Sequence, residues 1–134
     1  MALIDGEECA VSKKIMIVDD EADPRTYLEA LFQDSGYTTL TVADGDEAWD
    51  KVAEFQPDLI TLDIIMARET GVKFYRRLCK DPMLSKIPVI ICSGVTQYKD
   101  LFSRDHHTMP KPLAFVDKPI DKTSLLELVR TAIG

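Results

Sequence analysis

Apolar positions along the chain fall into two kinds of run that alternate from end to end. Short continuous runs rich in β-branched residues occur at Lys14–Val18, Leu59–Leu62 and Pro88–Cys92, and these predict buried strands. Tyr37–Val42 and Ala114–Asp117 read as two more strands. Between them, apolar residues recur at helical spacing. Tyr27, Leu28, Leu31 and Phe32 predict a helix from about Pro24 to Ser35, with the proline in its first turn and Gly36 as its stop. Asp44-Gly45 leads into a second helix carrying Ala48, Trp49, Val52 and Phe55. A third opens near Gly71, carries Val72, Phe74, Tyr75 and Leu78, and ends at Asp81-Pro82. Val95, Tyr98, Leu101 and Phe102 give a weaker fourth pattern, followed by an irregular loop over 105–113. The last helix is capped by Asp121 and shows one apolar face in Leu125, Leu128, Val129 and Ala132. Trp49 and Cys92 read as packing residues.

Five strands alternating with five helices predict an α/β fold: a single doubly wound, five-stranded parallel sheet with right-handed crossovers and helices on both faces. Residues 1–12 show no period and are expected to be an N-terminal extension, with the domain itself spanning 13–134. The flavodoxin-like strand order 2-1-3-4-5 would make the first and third strands neighbours at the topological switch point, where ligands bind in such sheets.

Composition narrows the choice of partners. The 134 residues carry 46% hydrophobic side chains, enough for one domain with a real core. A net charge of −7 and a pI near 4.8 argue against direct nucleic-acid binding, which needs clustered cations. Cys9, Cys79 and Cys92 are odd in number and lack paired spacing, so neither a disulfide framework nor a zinc site is expected, and a reducing cytoplasm is the simplest setting. Asp5, Glu7 and Glu8 stand where a signal peptide would have its apolar core, and no apolar run approaches membrane-spanning length.

The candidate chemistry lies at strand ends. Asp19, Asp20 and Glu21 follow the first strand directly, and Asp63 ends the third. An isolated aspartate after a strand is ordinarily a helix cap or turn residue. Here the strand order would bring Asp19, Asp20 and Asp63 to one crevice, where they repel one another unless a cation intervenes. A hard divalent ion such as Mg2+, shared with waters and a phosphate oxygen, fits that need, and Mn2+ could substitute. His106-His107 lies without cysteine or carboxylate at ligand spacing and reads as solvated loop.

Taken together these positions resemble the receiver domain of two-component response regulators. The likeness covers about residues 13–133. It rests on Asp19-Asp20 after the first strand, Asp63 after the third, Ser93 after the fourth, Phe115 in the fifth and Lys118-Pro119 after it. The resemblance implies that Asp63 is the phosphoacceptor, taking a phosphoryl group from a histidine kinase or phosphotransfer protein. It implies Asp20 as the direct Mg2+ ligand, Asp19 nearby and often acting through water, and the backbone carbonyl of Ile65 as the remaining protein donor. Lys118 would neutralise the incoming phosphoryl group. The Ser93 hydroxyl would contact it only in the phosphorylated state, with Phe115 turning inward in concert. An output partner, with a homodimer among the candidates, is implied as well.

The chain departs from the family pattern in three places. Ala67 replaces a usual proline, the approach to the fifth strand is unusual, and Ile65 and Val95 replace residues that flank the in-line water. The last pair leads to an expectation of slow self-dephosphorylation. Two other classes compete with the receiver reading. A haloacid dehalogenase-type phosphatase needs a second acid where Ile65 stands, and an interaction module without phosphorylation would not need all three acids, the hydroxyl and the lysine. An enzyme acting on external substrates is therefore not expected.

Overall fold

The computed structural model describes residues 12–63, 66, 70–93 and 112–134, with only the backbone of Ser93. The elements run β1 (Lys14–Val18), α1 (Ala22–Asp34), β2 (Thr38–Val42), α2 (Gly45–Phe55), β3 (Leu59–Leu62), α3 (Thr70–Lys80), a 3-10 turn (Leu84–Lys86), β4 (Val89–Ser93), β5 (Ala114–Asp117) and α4 (Lys122–Ile133). All neighbouring strands pair in parallel, in the order β2-β1-β3-β4-β5. The predicted doubly wound sheet is thus the observed one. The helix expected around Val95–Arg104, and the loop as far as residue 111, lie outside the described residues, as does most of the extension expected over 1–12.

Period-two alternation divides the strand side chains between two cores. Met16, Val18, Ile60, Leu62 and Ile91 face the side covered by α2 and α3, through Ala48, Val52, Phe74 and Leu78. Ile15, Ile17, Leu59, Ile90 and Cys92 face the side covered by α1 and α4, through Leu28, Phe32, Leu125 and Val129. The central strands β1 and β3 are buried on both faces, which is why they read as unbroken apolar runs.

Local chemistry fixes the helix ends. Asp44 caps α2 by accepting the Glu47 N–H at 2.8 Å, and the Glu47 carboxylate accepts the Ala43 N–H at 2.9 Å, a reciprocal arrangement like a capping box. Gly36 takes the left-handed φ of 96° just beyond the Ser35 cap of α1, as its position in the sequence predicts. Tyr37, expected as the first residue of the second strand, instead packs edge-on to Phe32 at 6.3 Å, so β2 begins one residue later. Asp121 occupies the predicted N-cap of the last helix, where its carboxylate accepts the Ser124 hydroxyl at 2.6 Å.

Candidate functional site

The sheet itself carries the acids to one edge. Beyond the end of β1 the Asp19 N–H continues the ladder to the Val42 carbonyl at 3.2 Å, and beyond the end of β3 the Asp63 N–H reaches the Val18 carbonyl at 2.9 Å. With β1 and β3 paired from Ile15↔Leu59 to Val18↔Leu62, the two aspartates emerge side by side where the chain leaves the sheet. Asp20, next along, is exposed, while Asp19 and Asp63 are buried, at 2% and 6% of their free surface. One carboxylate oxygen from each of Asp19, Asp20 and Asp63 lies within 4.8 Å of the others. The predicted convergence of these three residues is therefore present.

Lys118 enters from the end of β5, two strands away, and meets the same acids. Its Nζ donates to Asp19 Oδ2 at 2.9 Å and lies 3.6 Å from Asp63 Oδ2 and 4.0 Å from Glu21 Oε1. Partial burial alone would lower the lysine's pKa. The Asp19 hydrogen bond and the charges of Asp63, Asp19 and Glu21 outweigh that effect and hold it above the ordinary value, so Lys118 is a fixed cation at neutral pH. The Lys118–Pro119 peptide bond is cis.

Around this cluster the backbone is well held. The Asp19 carboxylate accepts the Glu21 N–H at 2.9 Å, and the Arg25 guanidinium donates to the Asp19 carbonyl at 2.8 Å. Arg25 was not among the sequence candidates, although its place one helical turn after Glu21 puts it on the α1 surface nearest the acids. Cys92 also lies near them without having been singled out for it. Burial pushes its thiol up to about 12, with Lys118 opposing and the Asp19 and Asp63 charges adding to the rise, so it stays neutral and fills core space.

Phe115 is not part of the acid cluster. It pairs with Ile91 across β4–β5 and packs, partly buried, against the core on the α2–α3 side. The Ser93 backbone ends β4 opposite Asp117, and its side chain lies outside the described residues, as do Ile65, Ala67 and Val95.

An acidic cluster with one lysine, at the switch point of a five-stranded doubly wound sheet, defines the class: an α/β domain whose polar site sits at the carboxyl edge of its strands. The chain belongs to the response regulator receiver domain family, whose profile matches residues 15–130, and is thus a receiver domain of two-component signal transduction. Protein Rrf1 of Nitratidesulfovibrio vulgaris is 30% identical over 121 residues, covering 90% of this chain and 83% of that protein. The polar-differentiation response regulator DivK of Brucella ovis is 30% identical over 124 residues, covering 92% and 98%. Among solved structures, the chemotaxis response regulator CheY4 of Vibrio cholerae superposes with a TM-score of 0.79 at 24% identity, covering 92% of this chain and all of that one, a likeness of fold. Among the described residues no helix is long and apolar enough to cross a membrane.

Proposed function

We propose that the protein relays a signal by accepting a phosphoryl group on Asp63 from a histidine kinase or phosphotransfer protein, in a Mg2+-dependent step within the cytoplasm. The observation that carries this reading is the convergence of Asp19, Asp20 and Asp63 within 4.8 Å, with the Lys118 ammonium against two of them.

The donor set fits a hard divalent ion: it offers carboxylate oxygens only, two of them on buried residues and one on a residue open to solvent for the remaining waters. Asp20, Asp19 and Asp63 would hold Mg2+, with the Ile65 carbonyl as a further donor, and the ion would supply charge neutralisation for the phosphoryl oxygens. Mn2+ offers the same preference for oxygen donors. An Asp63 oxygen forms a bond to phosphorus while the bond from phosphorus to the donor nitrogen breaks, and that nitrogen keeps the electron pair and takes up a proton. Lys118, already within 3.6 Å of Asp63, meets the negative charge of the arriving group. Asp19 keeps Lys118 in place through its 2.9 Å hydrogen bond. Ser93 and Phe115 are assigned to the switch: a hydroxyl bond made only to the phosphoryl group favours one of two arrangements of the β4–β5 side, which an output partner then reads. Residues 13–134 form the receiver unit in this reading.

The test is incubation with Mg2+ and a small acyl-phosphate donor, followed by mass spectrometry of the peptide containing Asp63. One added phosphoryl group on Asp63, absent in Asp63→Asn and without Mg2+, is the expected result. An unmodified parent would instead point to an interaction module that keeps the fold without the chemistry.

A further inference from the structure

Helices α2 and α3 lie side by side over the same face of the sheet and carry opposite charge. Each is the crossover between two parallel strands on that face, so they run in the same direction. On α3 the exposed residues Lys73, Arg76, Arg77 and Lys80 recur at i, i+3, i+4 and i+7, a single outward stripe of cations on a helix with no acid, in a chain of net charge −7. On α2, Asp46, Asp50 and Glu54 recur every four residues, exposed and opposite the buried Ala48 and Val52. The one cation of α2, Lys51, is taken up by Glu47 at 3.3 Å. Among the described residues, Lys73, Lys80, Asp46, Asp50 and Glu54 make no ion pair within the chain, and Arg77 instead lies over the Trp49 ring at 5.3 Å.

The two stripes are also level. Gly45 abuts the Thr70 carbonyl and the Phe74 Cβ, and Trp49 abuts Arg77, so Asp46, Asp50 and Glu54 stand at about the heights of Lys73, Arg77 and Lys80. Over these spans the helices rise by about 12 Å and about 10 Å. A twofold axis parallel to the helices preserves height and exchanges left for right. It therefore sets the acidic stripe of each copy on the basic stripe of the other, in matching register and twice over, as an isologous contact requires.

From this self-complementarity we infer that the α2–α3 layer is a docking surface for a second copy of this chain, forming an electrostatic twofold dimer. The inference does not rest on phosphorylation of Asp63. Exposed ion pairs are individually weak, so the dimer is transient and depends on salt. At about 0.1 M salt, where the Debye length is about 10 Å, contacting stripes still attract while the repulsion between two acidic molecules is screened; at about 1 M the attraction is lost too.

Analytical ultracentrifugation of the whole chain at both salt concentrations tests it, with far-UV circular dichroism confirming the fold of each variant. The parent is expected to self-associate at the lower concentration and to become monomeric at the higher. The variants K73E/R77E/K80E and D46K/D50K/E54K are each expected to be monomeric, because like charges now face each other. Mixed in equal amounts they restore both complementary contacts and are expected to form a one-to-one heterodimer. If either triple variant unfolds, the salt dependence of the parent decides, together with K73E/K80E alone, which is expected to weaken association at least tenfold. A parent that stays monomeric at the lower salt concentration overturns the inference, and so does association unchanged by the α3 substitutions. Binding of a poly-glutamate probe to a monomeric parent would assign the α3 stripe to an acidic partner instead.

Discussion

Lys118 shows how much of the site is carried by single side chains. Its ammonium sits 2.9 Å from Asp19, 3.6 Å from Asp63 and 4.0 Å from Glu21, and its pKa is raised above 10.5 despite partial burial. A group whose folded pKa is raised contributes stability that is complete below its unfolded value and is lost as pH climbs through the folded value. Replacement of Lys118 by methionine should therefore remove one component of alkaline destabilisation. Denaturant midpoints of parent and Lys118→Met, compared from about pH 9 to about pH 12, are expected to converge as the pH rises. A constant gap would mean that the ion pairs do not contribute. Asp19, Asp20 and Asp63 were legible in the sequence because they follow unbroken core strands, where alternation leaves little freedom, whereas Lys118 was legible through the resemblance to receiver domains. The pairing of Glu21 with Lys118 and of Arg25 with the Asp19 carbonyl was not, since both depend on rotamers and on the entry angle of α1, which no spacing rule specifies.

At the scale of elements, strand identity was legible wherever burial on both faces left no competing reading. β1 and β3 have the predicted bounds for that reason, and the partly buried edge strand β5 has them too. Ends shifted where a local side-chain choice intervened: Tyr37 left the strand to pack on Phe32, and α1 begins at Ala22, one turn's fraction before the Pro24 that marked its start. Contact between α2 and α3 was not legible either, and it gives a packing reason for the glycine that leads into α2. Gly45 is the first residue of α2, and a Cβ built there would overlap the Thr70 carbonyl and come within 3.1 Å of the Phe74 Cβ. The obstacle is backbone, which cannot swing aside as a side chain end can. Gly45→Ala, normally favourable in a helix by up to about 1 kcal/mol, is here expected to destabilise by about 1–3 kcal/mol. Urea unfolding should show a lowered midpoint with an unchanged slope. A midpoint at or above that of the parent would show that α3 can retreat from α2 without cost.

For the whole molecule, placing three carboxylates and a lysine at one edge of a sheet that is otherwise apolar creates a strain the fold must balance. Right-handed crossovers admit more than one strand order, and the resemblance to receiver domains pointed to 2-1-3-4-5, whereas the opposed charges of α2 and α3 were hidden, cancelling one another within a composition that reads simply as acidic. Folding brings Asp63 within 4.8 Å of the adjacent Asp19 and Asp20, so a divalent ion held by all three would bind the folded state in preference to the unfolded chain. Mg2+ at a hundredfold excess over its dissociation constant should then add about 2.7 kcal/mol of stability, and for a domain of this size raise the melting temperature by about 10 °C. Two substitutions should move that increment in opposite directions. Asp20→Asn removes a charged donor from the solvent side of the cluster, where the exposed side chain contributes little to packing, so the fold should persist while the Mg2+-induced rise shrinks. Lys118→Ala removes the cation that competes for Asp19 and Asp63, so the metal-free protein should melt lower and gain more from Mg2+ than the parent does. Thermal melts of the three proteins across a Mg2+ titration, at constant ionic strength, measure both effects. Equal increments in all three would place the ion somewhere other than among these acids.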